Sequence, residues 1–169
     1  MGVYSVDKLI TEARRIAADY RRATGKPLAG ITSEVCQYDA AQLLDLELLK
    51  SPVGGYDAIG RGARDGLRIQ IKGRAIFDEN KSGQRLGQLK LEQEWDSVIL
   101  VLMDDNLQPF EIHEASRDEI EQALADSIPS KRNKRGIMSI AKFKAIGRLA
   151  WTREEGTETD ELWTNQTDE

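Results

Sequence analysis

Apolar positions recur at helical spacing over residues 5–24, where Val6, Leu9, Ile10, Ala13, Ile16, Ala17 and Tyr20 form one stripe. Ser5 stands where an N-cap belongs and Gly25 where a helix stops. A second amphipathic helix is expected from the caps Thr32/Ser33 to about Lys50, with Val35, Ala41, Leu44 and Leu48 on its apolar side, ended by Ser51, Pro52, Gly54 and Gly55.

The pattern then changes period. Residues 56–60 and 67–73 read as two short strands around RGARDG, whose Asp65-Gly66 pair is a hairpin signal. A short helix is expected next, with Gln84 and Gln88 four apart on one face. Residues 96–103 (DSVILVLM) are almost continuously apolar, as in a central strand covered on both faces, and residues 109–113 follow as its hairpin partner. Ser116 with Glu119 makes a capping box for a helix over about 117–125, and residues 139–151 place Ile140, Phe143, Ile146, Leu149 and Ala150 at helical spacing.

At 169 residues and 40% hydrophobic content the chain suits one domain, assigned to 1–153, with an acidic, disordered tail over 154–169. No run approaches the length of a membrane helix and the first residues lack the apolar core of a signal peptide, which points to a soluble cytoplasmic protein with no membrane partner. The lone Cys36 excludes an internal disulfide and a thiolate metal site, and fits a reducing compartment. A catalytic triad built on histidine or a zinc site is equally out of reach with only His113. The glycine-rich stretches lack the GxxxxGK[ST] pattern of a phosphate loop and read as turns.

Net charge is −5, but it is unevenly spread. Seven acids and no bases lie in 154–169, so the preceding residues hold 24 bases against 22 acids, and residues 131–153 hold eight bases and no acid. Lys131, Arg132, Lys134 and Arg135, beside Gly136, form a candidate grip on a nucleic-acid backbone, with a solvated loop folding against the acidic tail as the alternative.

The candidate chemistry lies in YDAIGRGARDGLRIQIKGR, residues 56–74. In a strand, Gln70, Lys72 and Arg74 project to one side and Ile69 and Ile71 to the other, a pattern that burial alone would not choose. Across the hairpin Asp57 can approach Gln70 and Lys72. One carboxylate, one amide oxygen and a backbone carbonyl suit a hard cation such as Mg²⁺ (or Mn²⁺), which takes oxygens at about 2.1 Å. Lys72 would sit beside a bound water or a phosphate, and Arg74 could touch phosphate.

These residues resemble the PD-(D/E)XK nuclease superfamily, in the QxK variant found in branches that include methylation-dependent restriction enzymes. The resemblance covers roughly residues 28–125. It implies a restriction-endonuclease-like α/β fold, a central mixed β-sheet flanked by helices, and a metal-dependent endodeoxyribonuclease linked to restriction or repair. Carried over by position, Glu34 matches the acid of the first core helix, Asp57 the strand aspartate, and Gln70 with Lys72 the QxK. Metal would then be held by Glu34, Asp57 and Gln70. DNA is the implied partner, with a homodimer or a protein partner suggested by analogy. Gln70 departs from the commoner carboxylate and weakens the attraction for a cation, which keeps open a nuclease-fold module that binds nucleic acid or protein without catalysis. A plain polar strand face, with Glu34 as an ordinary first-turn acid, is the remaining alternative.

Overall fold

The computed structural model describes residues 5–76, 84–126 and 136–157. Along the chain run α1 (Val6–Thr24), α2 (Ile31–Leu44), β1 (Leu46–Val53), β2 (Tyr56–Gly60), β3 (Arg68–Ala75), β4 (Ser97–Met103), β5 (Pro109–Ser116), α3 (Arg117–Asp126), α4 (Ile140–Ile146), β6 (Arg148–Thr152) and β7 (Gly156–Thr157). The seven strands form one mixed sheet in sequence order, and only β3 and β4 are parallel. The protein is thus α/β, with four helices among the described residues.

β4 is buried along its whole length, because both faces of the sheet are covered. On one face Ile69, Ile71, Ile99, Val101 and Met103 pack under α1 and α2, through Ala17, Cys36, Ala40 and Leu44. On the other, Val98, Leu100 and Leu102 pack under Leu86, Leu89 and Trp95 of the β3–β4 crossover and under Ile120 and Phe143 of α3 and α4. The parallel pairing requires such a long crossover, and here Leu86, Leu89 and Trp95 of the crossover join that core.

The β2–β3 hairpin and the β4–β5 pair form as the alternation predicts. So does the capping box of α3: the Ser116 N–H donates to Glu119 Oε1 at 3.3 Å and the Glu119 N–H donates to Ser116 Oγ at 3.2 Å.

Elsewhere tertiary pairing overrides the local pattern. The second helix does not reach Lys50: it ends at Leu44, capped by Asp45 in the left-handed region (φ 54°), and the next residues become β1, with Leu46 opposite Gly60 and Leu48 opposite Ala58. The last helix stops at Ile146 and not Trp151. Gly147 lies so close to the Glu114 carbonyl that a Cβ there would stand 2.5 Å from its oxygen, and Arg148–Thr152 pairs with β5 as β6. The sheet then continues into β7, so the folded part extends past 153 to Thr157, while 158–169 lie outside the described residues.

Residues 84–96 contain no helix, so Gln84 and Gln88 share no helical face. The Leu86 N–H bonds to the Met138 carbonyl, the Leu89 N–H to Gly136, and Arg85 bridges Ser139, which commits this backbone to strand-like partners.

α1 is amphipathic but turned differently from its stripe. Ala17 and Ala18 are buried, whereas Val6, Leu9, Ile16 and Tyr20 are exposed. The guanidinium of Arg14 fixes that rotation by donating to both oxygens of buried Asp39, at 2.6 and 2.8 Å, and to the Leu107 carbonyl at 2.5 Å.

Candidate functional site

The site begins where β2 leaves β3. The two strands are in register at Ala58–Ile69 and Ile59–Arg68. Past that point the Ile71 N–H donates to Asp57 Oδ2 at 2.8 Å, so a side chain satisfies a β3 donor. The other Asp57 oxygen makes no hydrogen bond among the described residues.

Gln70 lies on the same side of the sheet and is 2% exposed. Its Nε2 donates to the Leu89 carbonyl at 2.6 Å, which fixes the amide orientation and leaves Oε1 buried without a partner among the described residues. An orphaned buried acceptor costs on the order of 1–3 kcal/mol and calls for a donor or a cation.

Lys72 follows two residues on. Desolvation is the main cause that lowers its pKa. The charge of Asp57 opposes the shift, and Lys90 and Arg74 reinforce it. Lys72 makes no hydrogen bond or ion pair among the described residues. A Cβ built on Gly87 would stand 3.7 Å from Lys72 Nζ and 3.4 Å from Arg74 Nη2, so both cations converge over one glycine. Arg74 is steadied by donating from Nε to the Arg85 carbonyl at 2.9 Å and from Nη1 to the Gly73 carbonyl at 2.6 Å.

Two open clefts meet at this point, and Asp57 and Lys72 line both. The larger, about 360 Å³, runs between Lys72, Arg74 and Gly87 on one side and Thr32, Ser33 and Gln37 of α2 on the other. The smaller, about 240 Å³, is walled by Gly55, Tyr56, Gln70, Lys90 and Gln93.

Of the four residues expected to form the centre, the structure therefore brings together Asp57, Gln70 and Lys72. Glu34 is exposed in the first turn of α2 and lines neither cleft. α2 instead turns neutral groups toward the larger cleft, with Gln37 Nε2 donating to Ser33 Oγ at 3.4 Å. Arg74 lies on the wall of the larger cleft. Lys131, Arg132, Lys134 and Arg135 lie outside the described residues. Further along the same basic segment, Lys144 pairs with Glu111, Arg148 with Glu114 and Arg153 with Asp104, so these three hold the fold.

Among the described residues no group of three His, Cys, Asp or Glu side chains could hold a metal. The oxygen donors present, the Asp57 carboxylate and the orphaned Gln70 Oε1, suit a hard divalent cation. Among the described residues the two clefts set one acid, Asp57, against Lys72, Lys90 and Arg74.

His113 and Cys36 line neither cleft. His113 is buried and bonded through Nε2 to Glu111 at 2.9 Å. Burial pushes the Cys36 thiol up, and it packs against the β3 backbone at Gly73.

Sequence reasoning missed Gln37, Lys90, Gln93 and Arg117. Gln37 is one of several polar residues on α2, and the other three belong to a crossover and a helix start whose folding depends on distant carbonyls. No family model matches the chain, and comparison with curated proteins finds no match.

Proposed function

We propose that the chain is a metal-dependent hydrolase of phosphodiester bonds in DNA, built on a restriction-endonuclease-like fold. The observation that carries this reading is the meeting of Asp57, the unpartnered Gln70 Oε1 and the unpaired ammonium of Lys72 where β2 and β3 part. Asp57 and Gln70 would hold Mg²⁺ or Mn²⁺, which would polarise the phosphoryl group and activate water. Lys72, desolvated and poised between the clefts, would orient the attacking water and neutralise charge that develops on the phosphate. Arg74 would hold the backbone beside it.

The test is cleavage of mixed single- and double-stranded DNA, methylated and unmethylated, with Mg²⁺ or Mn²⁺. Wild-type protein is expected to cut. Asp57→Asn and Lys72→Ala are expected to lose at least about a hundredfold in rate, the scale of removing one transition-state contact. No cutting on any substrate overturns the reading.

A second reading, nucleic-acid binding without hydrolysis, is favoured by one feature: among the described residues, Asp57 is the only carboxylate on the walls of either cleft. Salt-sensitive DNA binding that survives both substitutions, with no cleavage, would establish it.

A further inference from the structure

Residues 90–95 of the crossover are held through the carbonyls of Lys90, Leu91, Gln93 and Trp95. From the first residue of α3, Arg117 Nη2 donates to the Leu91 carbonyl at 2.5 Å, and Nη1 donates to the Gln93 and Trp95 carbonyls at 2.7 and 3.3 Å. The same guanidinium lies 4.6 Å from the centroid of the buried Trp95 ring. The Lys90 carbonyl accepts twice, from Trp95 Nε1 at 3.0 Å and from the Gln93 N–H at 2.9 Å. These bonds keep Lys90 in the left-handed region, φ 52°, where a lysine is seldom found without a constraint.

The held segment shapes the smaller cleft. Gln93 packs over Gly55, where a Cβ would stand 2.4 Å from Gln93 Oε1, and Gly55 itself has φ 99°. Lys90 and Lys72 line the same cleft, and neither ammonium has an ion pair among the described residues. Among the described residues the Asp57 carboxylate is the one negative charge set against these two ammonium groups in the cleft, which leaves room for a further anion. Gln70, whose Oε1 is buried without a partner among the described residues, lines the same cleft.

We propose that Lys90, held in place by the Arg117 clamp, is the anchor of a second phosphate subsite for a nucleic-acid strand. Lys90 lines the smaller cleft, Arg74 the larger and Lys72 both, so that a strand passing through both clefts would meet Lys90, Lys72 and Arg74 in turn. Gln93 and Tyr56 line the space beside that phosphate and would face its nucleoside. The inference rests on the phosphodiester reading only for the class of ligand.

The experiment measures binding of a short fluorescent oligodeoxynucleotide, single- and double-stranded, in EDTA across a salt series, where no cleavage occurs. Lys90→Asn removes the charge yet tolerates the left-handed backbone; Lys90→Arg keeps the charge, and Lys8→Gln on exposed α1 is the control. The expected result is a drop of about 0.7–0.9 in the slope of log affinity against log salt for Lys90→Asn, recovery in Lys90→Arg, and no change in Lys8→Gln. An unchanged slope in Lys90→Asn, or no DNA binding by the wild type, overturns the subsite. The separate cleavage assay keeps the two ideas apart. Cutting with no Lys90 effect on the slope removes only the subsite, and a Lys90 effect without cutting removes only the hydrolysis.

Discussion

Asp57 and Ile71 are joined by a carboxylate that accepts the β3 backbone N–H at 2.8 Å, so the acid that faces the clefts also secures the strand beside it. Truncation and neutralisation should therefore separate. Asp57→Ala strands a part-buried donor and is expected to cost about 1–3 kcal/mol, whereas Asp57→Asn retains an acceptor and should cost less. Denaturant unfolding of both variants checks this. DNA cleavage should be lost in both, and equal stability losses would show that the bond contributes little.

Lys72 should lower stability where the protein works. Its folded pKa lies below the unfolded value of 10.5, chiefly through desolvation, so on raising pH the folded chain gives up this proton first. Between those two pKa values the unfolded chain binds more protons, and the contribution of Lys72 to stability becomes less unfavourable with rising pH. Lys72→Met is therefore expected to melt higher than wild type at pH 7, with the advantage shrinking as pH approaches 10.5. Thermal unfolding over that range measures it. A variant less stable than wild type at pH 7 would mean that attraction to Asp57 outweighs burial.

Gly73 and Cys36 should behave as one unit. A Cβ on Gly73 would stand 2.5 Å from Cys36 Sγ and 2.7 Å from its Cβ, so Gly73→Ala should force α2 away from β3 at a cost of about 1–3 kcal/mol. Cys36→Ala removes the sulfur but leaves the Cβ contact, so the double variant should recover part of the loss. A double-mutant cycle should give a coupling of at least about 0.5 kcal/mol, and additive effects would contradict the packing described.

Arg117 should be poorly replaced even by lysine. One ammonium cannot span the carbonyls of Leu91, Gln93 and Trp95 as the planar fork does. Arg117→Lys is expected to cost about 1–3 kcal/mol and to speed amide hydrogen exchange over residues 90–95, while exchange in β4 stays slow. Unchanged exchange in the crossover would show that Trp95 alone holds it.

What the sequence made legible follows a physical division. Gln70 and Lys72 were readable because strand alternation forces them to one side, and Asp57 because a short hairpin fixes its neighbours. β4 was readable because a strand buried on both faces admits only apolar residues. The misread stretches have patterns that satisfy two periods. LELLKSPV continues a helix stripe as well as it alternates, and only pairing with β2 makes it a strand. RLAWT likewise extends the stripe of α4 until the close approach of Gly147 to Glu114 turns the chain into the sheet. Glu34 was chosen by its place in a motif, but the rotation of α2 about its axis is set by Cys36 against Gly73 and Asp39 against Arg14, and sequence spacing does not encode those distant partners. Lys90 was hidden for a similar reason, since its direction depends on carbonyls collected by a residue 27 positions later.

The single thiol of the chain is sealed between a helix and the strand that carries Gln70 and Lys72. Burial also keeps it protonated, so it is doubly protected from alkylating reagents. The molecule thus contains its own timer for the lifting of α2 from β3. Modification of Cys36 should proceed at the rate at which that seam opens, and filling the larger cleft, which the same helix and strand enclose, should slow it without any dye or engineered label.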